Sequence, residues 1–87
     1  MYHVYYSPSA IKTIKKLDRQ TAKIIKAWID EHLENSINPR KKGKALQGAL
    51  KGHWRYRVGD YRIIATIEDK KLLIYIFEIG HRKEIYK

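Results

Sequence analysis

The last eight residues, GHRKEIYK, bring together three side chains that could act on a phosphodiester. His81 can exchange a proton near neutral pH, and Arg82 carries a guanidinium fork that fits phosphate oxygens. Tyr86 offers a ring on which a nucleobase can stack. These residues directly follow the apolar run LLIYIF, which is predicted to be a buried strand. The residue types favour a phosphate-handling site, with a solvated tail as the alternative.

Three more arginines are predicted to meet on one face of a β-sheet. The segment HWRYRV carries Arg55 and Arg57 at alternate positions, and the next segment, YRIIATI, carries Arg62. If Gly59-Asp60 forms a two-residue hairpin turn, Arg57 lies directly opposite Arg62. Like charges opposed across two strands destabilise the pair, so their convergence favours an anion-binding site. Two arginines that splay into water are the alternative.

We call this surface, which carries Arg55, Arg57 and Arg62, the arginine face. A second two-residue turn at Asp69-Lys70 would place Arg62 opposite Phe77 and add Tyr75 and Phe77 to the arginine face. The opposite face would then supply the core, from Trp54, Tyr56, Val58, Ile63, Ile67, Leu72, Ile74 and Ile76.

The position of the C-terminal segment relative to the arginine face depends on one residue. Strict alternation from Ile79 puts His81 on the arginine face and Arg82 on the other face. A β-bulge at Gly80 would bring Arg82 to the arginine face instead. The sequence leaves both arrangements open.

The first half of the chain predicts the elements that support this sheet. YHVYYS has the composition of a strand, and Ser7 and Asp18 stand where the N-caps of two amphipathic helices are expected. The connection ENSINPRKKGKALQGALKG is polar and basic, with one helical turn predicted over 45–50. The predicted fold is α+β, in the order β-α-α-β-β-β, with an antiparallel sheet packed on an N-terminal helical hairpin.

Length and composition limit the possible classes of protein. The 87 residues suit a single domain, 1–87, and a formal net charge of +10 favours a phosphodiester partner over a surface charged only for solubility. The chain has no cysteine, and its N-terminus has no apolar signal region. We therefore expect a soluble, cytoplasmic protein without a membrane partner.

The run LQGALKGHWRYRVGDYRIIATIEDKKLLIYIFEIGHRKEIY resembles the C-terminal half of the RelE branch of the RelE/ParE toxin superfamily. The shared features are a leucine–glycine pair before the last three strands, YR at the start of a strand, and the ending G-basic-R…Y. The predicted order of the elements in the first half agrees with this resemblance.

The resemblance implies a toxin of a type II toxin–antitoxin pair, silenced by a small acidic antitoxin. Its implied activity is that of a metal-independent endoribonuclease that cleaves mRNA in the ribosomal A site. Arg62, Arg82 and Tyr86 match residues of the family pattern, whereas Arg55 and Arg57 stand where lysines are frequent. Contacts with RNA and the ribosome are expected from the basic residues Lys51, Lys44, Lys41, Lys42, Lys12 and Lys16.

The implied cleavage needs groups that exchange protons, and arginine is a poor one because its pKa lies above about 12. His81 is the predicted proton-transfer residue, with Tyr86 and Glu78 as weaker candidates. The four histidines show no metal-ligand spacing, so neither a metal nor another cofactor is expected.

Two other functions remain open. A toxin of the ParE branch would share the fold and poison DNA gyrase by binding, without catalysis. A nucleic-acid-binding module would use the same charges and rings without chemistry.

Overall fold

Two helices pack on one face of a mixed β-sheet. The structure, a computed structural model, describes residues 1–81, so Arg82 and Tyr86 lie outside the described residues. Within residues 1–81 the sheet has five strands in the spatial order β1-β5-β4-β3-β2. The elements in chain order are β1 (His3–Tyr6), α1 (Pro8–Lys16), α2 (Arg19–His32), β2 (Gly43–Ala45), β3 (Trp54–Val58), β4 (Tyr61–Glu68) and β5 (Leu73–His81).

Both predicted helix starts are confirmed by side-chain caps. The hydroxyl of Ser7 accepts a hydrogen bond from the backbone N–H of Ala10 at 2.9 Å. The carboxylate of Asp18 accepts one from the N–H of Thr21 at 3.0 Å. These bonds satisfy N–H groups that have no partner inside the helix. Only two residues separate α1 from α2, which makes them the predicted hairpin.

The first strand joins the sheet in a direction that the sequence did not indicate. Strands β2 to β5 are antiparallel neighbours, whereas β1 runs parallel to β5, with His3 paired to Leu73 and Tyr6 to Ile76. The last strand would otherwise present unpaired backbone groups along its free edge, and β1 covers them. The sheet is therefore mixed rather than purely antiparallel, while the predicted order β-α-α-β-β-β is retained.

The basic connection contains a strand that was not predicted. Gly43–Ala45 forms β2 and pairs with β3, and the helical turn predicted over 45–50 is a short 3-10 helix at Gly48–Leu50. A Cβ atom at position 43 would lie 2.5 Å from the indole ring of Trp54. This pairing depends on the close approach of a glycine to a ring distant in sequence, which explains why local composition did not reveal it.

The predicted two-residue turn at Asp69-Lys70 is wrong. Asp69–Lys71 forms a 3-10 turn, and Leu72 follows it in the left-handed region with a φ of 52°. Leu72 is therefore a loop residue with 43% of its surface exposed, not a core residue.

A β-bulge then changes the register between β4 and β5. Ala65 pairs with Ile76 but Ile64 pairs with Glu78, so Phe77 is an extra residue on β5. As a result Arg62 lies opposite Gly80 rather than opposite Phe77. After Phe77 the alternation of side chains along β5 is therefore reversed relative to the two faces of the sheet. Ile79 as a result faces the helices and is buried in the core.

The core lies between the helices and the sheet. The ring of the half-buried Trp28 packs 5.8 Å from that of the buried Tyr56, and the hydroxyl of Tyr56 donates a hydrogen bond to the carbonyl of Pro39. This bond attaches the basic connection to the core. Among residues 1–81, no helix is long and apolar enough to cross a membrane. The buried apolar cluster comprises Ala10, Ile25, Ile29, Leu33, Tyr56, Val58, Ile63, Ala65, Ile74, Ile76 and Ile79.

Candidate nucleic-acid interface

The predicted arginine face is present on the side of the sheet away from the helices. Gly59 adopts a φ of 60° in the turn after β3, and Arg57 pairs directly with Arg62 across the hairpin. Arg55 lies two positions from Arg57 on the same face and pairs with Ile64.

The two opposed arginines have different environments. Arg57 is exposed, whereas only 6% of the surface of Arg62 is accessible. The alternative in which both side chains splay into water is therefore wrong for Arg62. A guanidinium surrounded by protein interacts more strongly with an incoming anion, because less water screens the charge. The pair combines a buried cation with an exposed one.

The basic connection extends this positive surface. Lys44 on β2 pairs with Arg55, and three lysines border a groove of about 260 Å³ together with Arg55 and Arg57. The lysines are Lys41, Lys42 and Lys44. We call this the basic groove. It continues the arginine face to the edge of the sheet, so one nucleic-acid strand could contact both surfaces.

The other lysines proposed for RNA or ribosome binding lie elsewhere. Lys12 and Lys16 belong to α1, on the opposite side of the sheet from the arginine face. Lys51 is exposed at the end of the 3-10 helix that precedes β3. The structure does not bring these three side chains into the basic groove.

His81 does not lie on the arginine face, where strict alternation from Ile79, one of the two arrangements left open by the sequence, would have put it. It pairs with Tyr61 at the end of β4, and the two rings are 5.4 Å apart in an edge-to-face arrangement. The pocket at this point includes Lys16 and Leu17 from the helical hairpin, so His81 faces the helices. The bulge at Phe77 causes this reversal.

Glu78 and His53 are titratable residues of the arginine face. Glu78 pairs with Ile64, which in turn pairs with Arg55, so Glu78 shares the face of that arginine. His53 lies two positions before Arg55, and its ring is 5.3 Å from the ring of Phe77. The sequence reasoning named Glu78 as a weak candidate and missed His53, although the alternation that places Arg55 and Arg57 could have been continued back to it.

Aromatic side chains border the basic residues. Phe77 is 41% exposed beside His53, and Tyr75 lies further along the same face. Tyr75 pairs with Tyr5 on β1, whose exposed fraction is 58%. Exposed rings next to cationic groups suit a single-stranded nucleic acid, because bases can stack while phosphates meet the cations.

Arg40 has a structural partner. Its guanidinium donates two hydrogen bonds to Asp69, at 2.9 and 3.0 Å, and these bonds lower the pKa of the Asp69 carboxyl. Its charge also lies 5.8 Å from the centre of the Trp54 ring. These contacts fix one end of the basic connection against the sheet. No group of three His, Cys, Asp or Glu side chains among residues 1–81 could hold a metal ion.

Comparison with known proteins connects this arrangement to a family. The family model for the ParE toxin of the type II toxin–antitoxin system parDE matches residues 4–86. Toxin RelE of Mycobacterium tuberculosis is 30% identical over 86 residues, which cover 99% of this chain and 87% of that protein.

Solved structures agree with the sequence matches. A chain of the toxin–antitoxin complex RelBE2 from Mycobacterium tuberculosis superimposes with a TM-score of 0.84 at 26% identity, covering 93% of this chain and 98% of that chain. A chain of the RelB–RelE antitoxin–toxin complex from Methanococcus jannaschii gives 0.70 at 30% identity, covering 94% of each. The chain therefore belongs to the RelE/ParE superfamily, and it is a RelE-type toxin of the type II toxin–antitoxin systems.

Proposed function

We propose that this toxin is an endoribonuclease that cleaves mRNA in the ribosomal A site and thereby inhibits translation, with the arginine face as its active site. The observation that supports this best is the direct opposition of Arg57 and Arg62 on a strand pair. A phosphate bound between two facing cations would reduce their mutual repulsion, and guanidinium forks bind phosphate oxygens bidentately.

The proposed reaction uses the substrate's own nucleophile. The ribose 2′-oxygen attacks the adjacent phosphorus, the bond to the 5′-oxygen breaks, and a 2′,3′-cyclic phosphate and a 5′-hydroxyl result. Negative charge accumulates on the phosphate oxygens in the transition state. Arg57 and Arg62 would stabilise this charge, and donors fixed before the reaction are the most effective, which favours the buried Arg62. No metal ion is required for this role.

The remaining residues of the proposal provide binding. The basic groove would hold phosphates beside the cleaved bond, and Lys51, Lys12 and Lys16 would contact the ribosome. Arg82 and Tyr86 are included for their residue types and for their place in the family pattern, as a phosphate ligand and a base-stacking ring.

A cognate antitoxin is the second proposed partner. The related RelE structures include complexes with RelB proteins. The net charge of +10 favours an acidic antitoxin, which would neutralise the basic surface that RNA needs.

The test is single-turnover cleavage of ribosome-bound mRNA. Arg57→Ala and Arg82→Ala are each expected to cleave about a hundredfold more slowly than the wild type. One oriented donor stabilises a transition state by about 3 kcal/mol, which corresponds to a rate change of this size. Arg62→Lys keeps the charge and removes the fork, and Tyr86→Phe keeps the ring and removes the hydroxyl. Thermal melts of every variant separate loss of chemistry from loss of folding. Intact mRNA with folded wild-type protein would overturn the proposal.

The match to the ParE family model supports a second candidate, a toxin that inhibits DNA gyrase by binding. Expression in cells separates the two functions. Arrested translation with cut mRNA supports the ribonuclease, whereas DNA damage with intact mRNA supports the gyrase inhibitor.

A further inference from the structure

His53 is held in one orientation by its own backbone neighbourhood. Its ring nitrogen Nδ1 lies 3.2 Å from the carbonyl oxygen of Leu50, and its backbone N–H donates to the same oxygen at 3.0 Å. Leu50 ends a 3-10 turn, and Gly52 between the two residues has a φ of 98°. A positive φ favours glycine, so the sequence here suits the tight bend that brings the imidazole back to this carbonyl.

The bond to Leu50 determines which ring nitrogen carries the proton. A carbonyl oxygen can only accept a hydrogen bond, so Nδ1 must be the donor. In the neutral imidazole the other nitrogen, Nε2, then has the lone pair and can accept a proton. The ring of Phe77 lies 5.3 Å away at an angle of 51° and restricts the imidazole from a second side. A fixed tautomer and a fixed ring are what a proton acceptor requires.

The position of His53 relative to the arginines suits a reaction at phosphate. His53 and Arg55 are alternate residues on one face, which separates their Cα atoms by about 6.6 Å along the chain. Both side chains can therefore reach one nucleotide. Among the described residues, the other charged side chains on this face include Lys44 from β2, Arg57 from β3, Arg62 and Glu68 from β4, and Glu78 from β5.

We propose that His53 is a catalytic residue of the arginine face, whose Nε2 takes the proton from the ribose 2′-hydroxyl while Arg55 holds the adjacent phosphate. This inference rests on the proposed ribonuclease function and assigns its proton acceptor. As the bond between the 2′-oxygen and phosphorus forms, the proton moves to Nε2. The electron pair of the broken bond leaves on the 5′-oxygen, which takes a proton from water. The imidazolium then returns its proton to solvent.

The experiment compares wild type, His53→Gln and His53→Ala in single-turnover cleavage of ribosome-bound mRNA. His32→Gln is the matched control, because His32 lies on α2, on the other side of the sheet, and packs 4.8 Å from Trp28. Each protein is tested on ordinary mRNA and on mRNA with sulfur in place of the 5′-oxygen at the cleaved bond. A thiolate leaves without being protonated, so the sulfur substrate does not depend on a proton donor.

A proton acceptor predicts a specific pattern of rates. His53→Gln is expected to cleave both substrates at least about a hundredfold more slowly than the wild type, which is within the usual contribution of general acid–base catalysis to a rate. His32→Gln is expected to cleave at the wild-type rate. Free imidazole should restore part of the activity of His53→Ala, because it can occupy the space of the missing ring, and a purely structural loss would not respond to it.

Three results would overturn the assignment while the ribonuclease function stands. They are normal cleavage by His53→Gln, a loss that disappears on the sulfur substrate, and a loss in His53→Ala that imidazole leaves unchanged. Intact ordinary mRNA with the wild-type toxin would instead show that the proposed function itself is wrong.

Discussion

Replacing all three lysines of the basic groove tests whether this groove binds the RNA backbone. Lys41, Lys42 and Lys44 border the groove beside Arg55 and Arg57. Each phosphate that meets a cation releases a condensed counterion, so the affinity for RNA falls as salt rises. Removing the three cations should weaken binding and, more specifically, should make binding less sensitive to salt.

The expected size of the effect follows from the number of contacts. Each single-strand phosphate contact contributes about 0.7 to the slope of log affinity against log salt. Three lost contacts should therefore reduce the slope by about 2.1. Between 50 and 200 mM salt, a fourfold increase, the wild type should lose about 18-fold more of its affinity than the triple variant.

The assay is fluorescence anisotropy of a labelled RNA whose 2′-hydroxyls are methylated, so that it cannot be cleaved. The dissociation constant is measured over several salt concentrations for wild type and the triple alanine variant. The control is a second triple alanine variant of Lys15, Lys23 and Lys26, which removes the same charge from the helices. Equal changes of slope in the two variants would mean that net charge, not the groove, determines binding, and an unchanged slope in the groove variant would refute the reasoning.

Two further predictions concern stability. Gly43→Ala should destabilise the fold by about 1–3 kcal/mol, because the new Cβ would lie 2.5 Å from the Trp54 ring, and urea unfolding should show this loss while Ala45→Ser stays near wild type. Hydrogen bonds from Arg40 are the main cause of the lowered pKa of the Asp69 carboxyl. The ionised carboxyl therefore stabilises the fold at pH values above its ordinary pKa of 3.8, and this stabilisation is lost as the pH falls through the lowered pKa. The melting temperature of Asp69→Asn should therefore lie below that of wild type near neutral pH and approach it in acid. A difference that stays constant with pH would contradict this account of the ion pair.

Features that depend on neighbouring residues could be predicted from the sequence. Ser7 and Asp18 cap their helices through atoms three residues away, so the local sequence contains both partners of each bond. The turn at Gly59 joins adjacent strands, and the opposition of Arg57 and Arg62 follows directly from it. The arginine face is therefore largely a consequence of local order.

Features that depend on distant packing could not be predicted in the same way. The strand at Gly43–Ala45 needs a ring eleven residues further along the chain, at Trp54, and β1 needs the edge of β5.

The choice between the two histidines shows the limit most clearly. Alternation along a strand is local, but one extra residue at Phe77 reverses the face of every side chain after it. The core determines where the extra residue lies, because Ile76 and Ile79 are both buried. They are three positions apart, and in a regular strand residues three apart point to opposite faces. For that reason the sequence by itself determined that His53 alternates onto the face of Arg55 and Arg57, and only the tertiary structure decided that His81 faces the helices instead.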